Sequence, residues 1–245
     1  MIGRLLIALA VMSYAAPALA DSPCAGTPLA TGAVSAVRDG RTLMLTDGRE
    51  IRLAGIEAPT DGAGLRALTA GQTLRIDRVS DDRYGRIVAF VHVGDSTELL
   101  QMVLLAAGRA RVSARPAGKA CASALLGAER TARAARLGLW ADPNFAPLSS
   151  ENLTMLAAEK GHFALVEGQV LSVRESGATI YVNFGRRWTR DFSVTIPKRE
   201  ARNFAAAGIE PKTLERRRIR VRGTIEQRGG PIIDVTAPEQ IELID

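Results

Sequence analysis

Cysteine and histidine are scarce in this chain. Its 245 residues hold two of each, Cys24 and Cys121, His92 and His162. A zinc site takes about four such ligands brought together, so this supply argues against one. The cysteines read instead as a disulfide in an oxidising compartment, the alternative being two buried free thiols. A Cys24–Cys121 bridge would tie the start of the mature chain to a later helix. Chain-entropy reasoning puts the upper end of its stabilisation at about 4 to 5 kcal/mol. Long apolar runs are missing after the first twenty residues, so no later segment reaches the roughly 20 apolar residues that a membrane-spanning helix needs. No repeat of fixed short period and no low-complexity tract occurs, which sets aside solenoids and compositional disorder.

The first twenty residues stand apart. Arg4 precedes the apolar run "LLIALAVM", and Ala18-Leu19-Ala20 supplies the small-x-small pattern of a cleavage site. The alternative, a retained anchor, suits this stretch less well because Leu5 to Ala20 is short for a bilayer. Residues 1–20 are therefore expected to be a signal peptide, and the protein is expected to be exported, either periplasmic or secreted. The formal charge of +6 and a pI of about 9.9 favour polyanionic partners such as nucleic acid.

From Gly32 onward the pattern is one of short strands. "TLMLT" and "REIRLAGI" flank Asp47-Gly48, a strong hairpin signal. "TLRIDRVSDDRYGRIVAFVHVG" reads as a further hairpin. "STELLQMVLLAAG" has helical periodicity and ends at Gly108, and "CASALLGAERTARAARLGLW" has Leu125, Leu126, Ala128, Ala132 and Ala135 on one side, with Glu129 and Arg133 as an i, i+4 pair. The prolines, serines and asparagines of residues 141–152 mark a break. We divide the chain into residues 21–143, a linker with a short helix at 144–160, and a second β-rich region at 161–245. The second region gives three strands, a helical insert and two more strands, the order of a five-stranded OB barrel. The fold class is thus mainly β with α (α+β): two OB-fold five-stranded barrels in tandem, the first with C-terminal helices packed on it.

Five ordered segments, "AVRDGRTLML", "IRLAGIEAP", "DDRYGRIVAFV", "LLQMVLLAAGRARV" and "ERTARAARLGLWADP", make residues 32–143 resemble the staphylococcal nuclease or thermonuclease-like family. The resemblance implies an OB barrel with packed helices and calcium-dependent hydrolysis of DNA and RNA. Such hydrolysis needs cations aimed at phosphate oxygens, a metal held by carboxylates, and a base for water. The family's two phosphate-binding arginines match Arg52 and Arg86. An arginine fork suits phosphate, although a strand arginine needs a partner whatever its purpose.

The acids depart from the pattern. Where the family has a calcium-binding aspartate in "DGDT", this chain has Asp39-Gly40-Arg41-Thr42, and where the family reads "DTPE" it has Glu57-Ala58-Pro59-Thr60. Glu57 is left as a weak metal candidate, and Thr60 cannot act as a base near neutral pH. Calcium takes six to eight oxygen ligands, and a positioned base contributes about 100- to 10,000-fold in rate. Asp39 and Asp61 are the candidate rescue acids. Arg41 is a candidate ion-pair partner for Glu57, replacing the metal's charge. The family's stacking tyrosines correspond to Ala114 and Pro116, which carry no ring. Arg83 and Tyr84 remain as candidate nucleotide contacts.

In the second region "YVNFGRRWTRDFSVTIPKR" interleaves aromatics with cations. Arg186, Arg187, Trp188 and Arg190 are candidate nucleic-acid contacts, while Phe184 and Phe192 fall on the inward-facing alternation. "ERRRIRVRG" alternates Ile219 and Val221 with arginines, the pattern of a strand with a solvated basic face. The expected function is binding of nucleic acid, another polyanion or an envelope protein partner by a thermonuclease-like protein with an impaired catalytic centre. An active calcium-dependent nuclease and a structural envelope protein are the alternatives. No cofactor is expected unless the nuclease alternative holds, in which case Ca2+ is.

Overall fold

The computed structural model describes residues 22–115 and 118–244. The expected signal peptide, residues 1–20, lies outside the described residues. Five strands close the first barrel: β1 (Thr27–Asp39), β2 (Thr42–Leu45), β3 (Glu50–Leu53), β5 (Thr73–Asp81) and β6 (Ile87–Val93), in the order β1-β2-β3-β6-β5. The barrel closes because β1 is long enough to serve two neighbours. Its first half pairs with β5 and its second half with β2, with register shifts between Leu29 and Gly32 and between Val34 and Ala36; such irregularities bend a strand. Gly32 permits the bend, since a Cβ there would lie 2.5 Å from a Leu45 methyl carbon. The β2–β3 turn is the expected Asp-Gly hairpin, with Gly48 at φ 85°.

Alternation fills the barrel. Leu43, Leu45, Ile51, Leu53, Leu74 and Ile76 are buried, so the side chains between them on the same strands face outward, whereas Ala89, Phe90 and Val91 of β6 are all buried. Two short strands, β4 (Ile56–Glu57) and β7 (Arg111–Val112), pair with each other beside the barrel. Helices α1 (Ala63–Thr69), α2 (Leu100–Ala106) and α3 (Lys119–Ala134) lie in the same part of the chain. Leu100, Leu104, Leu105, Leu125 and Leu126 extend the core. A disulfide joins Cys24 to Cys121 in α3.

Beyond 3-10 turns at Gly138–Ala141 and Pro143–Phe145 come β8 (Leu148–Ser149), α4 (Leu153–Ala158), β9 (Phe163–Gln169), β10 (Ser172–Ser176), β11 (Thr179–Asn183), β12 (Ser193–Pro197), α5 (Ala201–Ala206), β13 (Arg218–Arg228), β14 (Gly230–Asp234) and β15 (Ile241–Leu243). They form an eight-stranded sheet of order β10-β11-β12-β14-β13-β9-β8, with β15 on β13. Five strands were expected here. The larger number has two sources. The first long strand breaks at Val170 and Leu171, which bond to Arg217 and Asn183, giving β9 and β10; and β8 and β15 add short neighbours to β9 and β13. The run β10-β11-β12-β14-β13-β9 repeats the pairing order of the first barrel, down to the parallel pair β12–β14 in the place of β3–β6.

The two units are joined by a buried ionic cluster. Glu129 in α3, the expected i, i+4 partner of Arg133, is fully buried, and so is Arg222 in β13. Arg222 donates to both Glu129 oxygens at 3.0 and 2.9 Å and to the Val112 carbonyl at 2.9 Å. Glu242 accepts from Arg222 at 2.5 Å and from Arg133 at 2.9 Å, and Arg220 bridges Glu242 and Glu167. The expectation of a solvated arginine face on β13 is therefore corrected at Arg220 and Arg222, whereas Arg218 is exposed. Ile219 and Val221 fill the sheet's own core, and the opposite face of the strand packs on α3, which leaves Arg220 and Arg222 little contact with water. Three arginines and three glutamates balance, as buried charges must.

Candidate functional site

A cleft of about 890 Å³ opens between the barrel and the second sheet. Arg41, Arg52 and Arg86 stand on its barrel wall, and Arg83 and Arg115 also line it. Because Ile51 and Leu53 are buried, the side-chain period of two directs Arg52, between them, out of the barrel and into the cleft. Arg86 follows the β5–β6 turn. The Asp82 carboxylate accepts from the Tyr84 and Arg86 amides at 2.9 and 3.1 Å and from Arg86 Nε and Nη2 at 2.7 Å each. One acid thus shapes the turn and grips the guanidinium. Burial alone would raise the pKa of Asp82, but the bonds from Arg86 and the turn amides hold it below the usual carboxylate range. Arg41 is positioned by its amide on Asp39 Oδ1 at 2.9 Å and by the neighbouring Gly40 amide on the Pro59 carbonyl at 3.0 Å. Its guanidinium forms an ion pair with Glu57 and reaches the Ile56 carbonyl at 3.4 Å.

Arg52 differs from the other two. Among the described residues it makes no side-chain hydrogen bond or ion pair. Its pKa is lowered from that of an ordinary arginine, first by partial burial and then by the charge of Arg41, with Arg86 adding to it, against the opposing pull of Glu57 and Asp39. An unpaired cation among cations is a standing demand for an anion. Glu57, by contrast, is spoken for: Arg41 grips it, and Arg111 lies opposite it in the β4–β7 pair.

The remaining candidates separate. Tyr84 is 67% exposed and lies under Arg83 and Arg86, whose guanidinium carbons are 4.8 and 5.3 Å from its ring centre; all three line the cleft, as does Ala114. The two rescue acids do not join them there. Asp39 caps the β1–β2 turn through the Arg41 amide. Asp61 accepts from the Ala63 amide at 3.3 Å at the start of α1 and lines a different depression, beside Gly108 and Leu137. Arg186, Arg187, Trp188 and Arg190 lie on an exposed loop between β11 and β12 that does not line the cleft. Sequence reasoning missed the second wall, where Phe163, Thr224, Glu226, Asp234 and Gln240 face the arginines. Only the burial of Arg222, which fixes that wall, could have pointed to it, and the alternating pattern of β13 hid this.

The family match begins at β3 of the barrel and runs through the helices packed on it. Residues 50–142 match the family described as Staphylococcal nuclease homologue. Over 159 residues the chain is 32% identical to the micrococcal nuclease of Shigella flexneri, covering 58% of this chain and 86% of that one. The chain belongs to the staphylococcal nuclease family. The closed five-stranded barrel fits that membership. The calcium that the family implies does not fit the donors at the matching positions. Glu57 carries the lone carboxylate of the pair, its charge is met by Arg41, and the guanidinium reaches the Ile56 carbonyl that a cation would also seek. Among the described residues no group of three or more His, Cys, Asp or Glu side chains converges as metal ligands would, whereas calcium sites draw on several carboxylates.

Proposed function

We propose that this nuclease-family cleft holds the phosphodiester backbone of nucleic acid without a metal, and hydrolyses it weakly or not at all. The observation that carries this reading is Arg52, a half-buried guanidinium with no counter-ion of its own, flanked by Arg41 and Arg86. A backbone phosphate supplies the missing charge, and the fork geometry of arginine suits it. The neighbouring acids are committed to arginines, Glu57 to Arg41 and Asp82 to Arg86. A carboxylate locked in an ion pair is a poor proton acceptor, so the cleft can clasp a diester more readily than it can activate water. The Cys24–Cys121 disulfide supports export to an oxidising compartment, periplasmic or extracellular.

The test is binding and degradation of single-stranded DNA by the same preparation, with calcium and with chelator. Salt-sensitive binding that persists in chelator and is lost in Arg52→Ala, without turnover, is the expected result. Brisk calcium-dependent degradation would instead favour the second reading, an active nuclease, which the similarity to a protein named micrococcal nuclease supports.

A further inference from the structure

The loop between β11 and β12 carries a feature that the cleft does not use. Trp188 is 72% exposed, although the loop that bears it is tightly built. Phe184 and Phe192 anchor its two ends with ring centres 5.0 Å apart, and Phe192 is fully buried. The Arg187 amide donates to Asp191 Oδ2 at 2.8 Å, and the Arg190 and Asp191 amides both donate to the Arg187 carbonyl at 2.8 Å. Gly185 makes room for the Asp191 carboxylate, since a Cβ there would stand 2.1 Å from Oδ2. The tip of the β13–β14 hairpin supports the loop from behind, with Gly229 and Gly230 against Thr189, Arg190 and Asp191. Arg186, Arg187 and Arg190 are exposed, and among the described residues their side chains make no hydrogen bond or ion pair. Asp191 is the acid beside them, and its Oδ2 is committed to the Arg187 amide.

We propose that this loop is a second contact for a single-stranded polynucleotide held in the cleft, with one base stacked on Trp188 and neighbouring phosphates met by Arg186, Arg187 and Arg190. The proposal rests on the reading of the cleft as a phosphodiester site. Three observations favour this occupant. Trp188 is the one large apolar side chain between Gly185 and Arg190; a bilayer surface would receive a single indole, whereas stacking needs only one ring per base. The cations have no internal partner, so binding a polyanion breaks no ion pair. The loop is already ordered by its own bonds, so little conformational entropy is lost on binding. The β13–β14 hairpin also connects the two places: Glu226 and Asp234 face the cleft, and the hairpin tip supports the loop. With Arg222 and Glu129 fixing the second sheet to the barrel, the two contacts stand at a set spacing. A strand long enough to reach both then gains affinity through effective concentration.

The experiment measures affinity for oligothymidylates, from a dinucleotide to a length of about 20 nucleotides, in the full chain and in Trp188→Ala and Arg52→Ala. The ratio of long-strand to dinucleotide affinity is expected to fall about tenfold in Trp188→Ala, in line with the loss of one stacked base. Arg52→Ala is expected to weaken binding at every length. Quenching of indole emission by the long strand is expected to report stacking at Trp188, because Trp140 is buried. An unchanged ratio in Trp188→Ala, with Arg52→Ala still impaired, overturns the loop contact and leaves the cleft reading intact. Loss in Trp188→Ala with none in Arg52→Ala overturns the two-contact arrangement together with the cleft reading. Trp188-dependent binding to phosphatidylglycerol vesicles, with no Trp188 effect on oligonucleotides, assigns the loop to a membrane surface and overturns the proposal.

Discussion

Arg41 and Glu57 form an ion pair in the cleft, with each side chain about a quarter exposed: 22% and 24%. The positive charge that Glu57 faces is therefore covalently part of the chain. Removing it with Arg41→Asp takes away the partner of Glu57 and puts a second carboxylate in its place, which repels in the absence of a cation. This variant is expected to melt lower than the parent in chelator and to recover with added calcium. Ligand-linked stabilisation reaches about 2.7 kcal/mol at a hundredfold excess over Kd. The parent is expected to show no calcium-dependent shift. Thermal melts with calcium and with chelator check this, and a parent Tm that rises with calcium as much as the variant's would count against the substitution of guanidinium for metal.

Arg52 offers a separation of stability from affinity. Its guanidinium is half-buried, without a partner, and destabilised by Arg41 and Arg86. Arg52→Ala is therefore expected to leave Tm unchanged or raise it. The same change is expected to weaken single-stranded DNA binding by about ten- to a hundredfold, the range for losing a hydrogen bond to a charged group. The slope of log affinity against log salt should fall by about one unit with the loss of one phosphate contact. An arginine present only for structure would give the opposite pattern, lower Tm with unchanged binding.

The residues that were legible in the sequence are those governed by local rules. Asp47-Gly48 set the first hairpin, alternation through Ile51 and Leu53 turned Arg52 outward, and ordered motifs around Arg52 and Arg86 marked the phosphate side of the cleft. Arg41 opposite Glu57 was also readable, because a cation stood where an acid was expected. What was not readable depends on packing between units. Arg222 has the same alternating neighbours as a surface arginine, and nothing local tells that α3 covers it. Glu129 and Arg133 have helical spacing that suits a surface pair equally well. The cleft's second wall follows from that packing, so Thr224, Glu226 and Asp234 carried no signal.

Arg222 is predicted to dominate the stability of the junction. Its bidentate bond to Glu129 is shielded from water on both sides, with side-chain exposures of 1% and 0%. Arg222→Ala leaves the buried Glu129 with only Arg133 and the Val112 amide bonded to it, and losing one partner of a buried pair costs about 3 to 5 kcal/mol. Replacing both residues, Arg222→Met with Glu129→Leu, is expected to be milder than Arg222→Ala, because no uncompensated charge is left behind. Urea unfolding of the three proteins tests the order. Equal losses for the single and double variants would mean that packing volume, not charge, holds the units together.

Glu242 makes the same cluster sensitive to acid. Burial pushes its pKa up, but the charge of Arg222, the hydrogen bond from Arg133 and the charge of Arg220 outweigh that and hold it at about 2, against an ordinary 4.5. A carboxyl whose pKa is depressed by folding stabilises the native state above its unfolded value, and that stabilisation disappears as the pH falls toward the folded value. The shift corresponds to an order of 3 kcal/mol, present above about pH 4.5 and lost between there and about pH 2. Asp81, Asp82 and Glu175 are also lowered but lie at more exposed positions, so they weaken the acid limb less and are common to parent and variant. Glu242→Gln should therefore be less stable than the parent at neutral pH, with the two curves converging as the pH drops through that window. Parallel curves at all pH values would place the native-state charge balance elsewhere in the cluster, on Glu129 or Glu167.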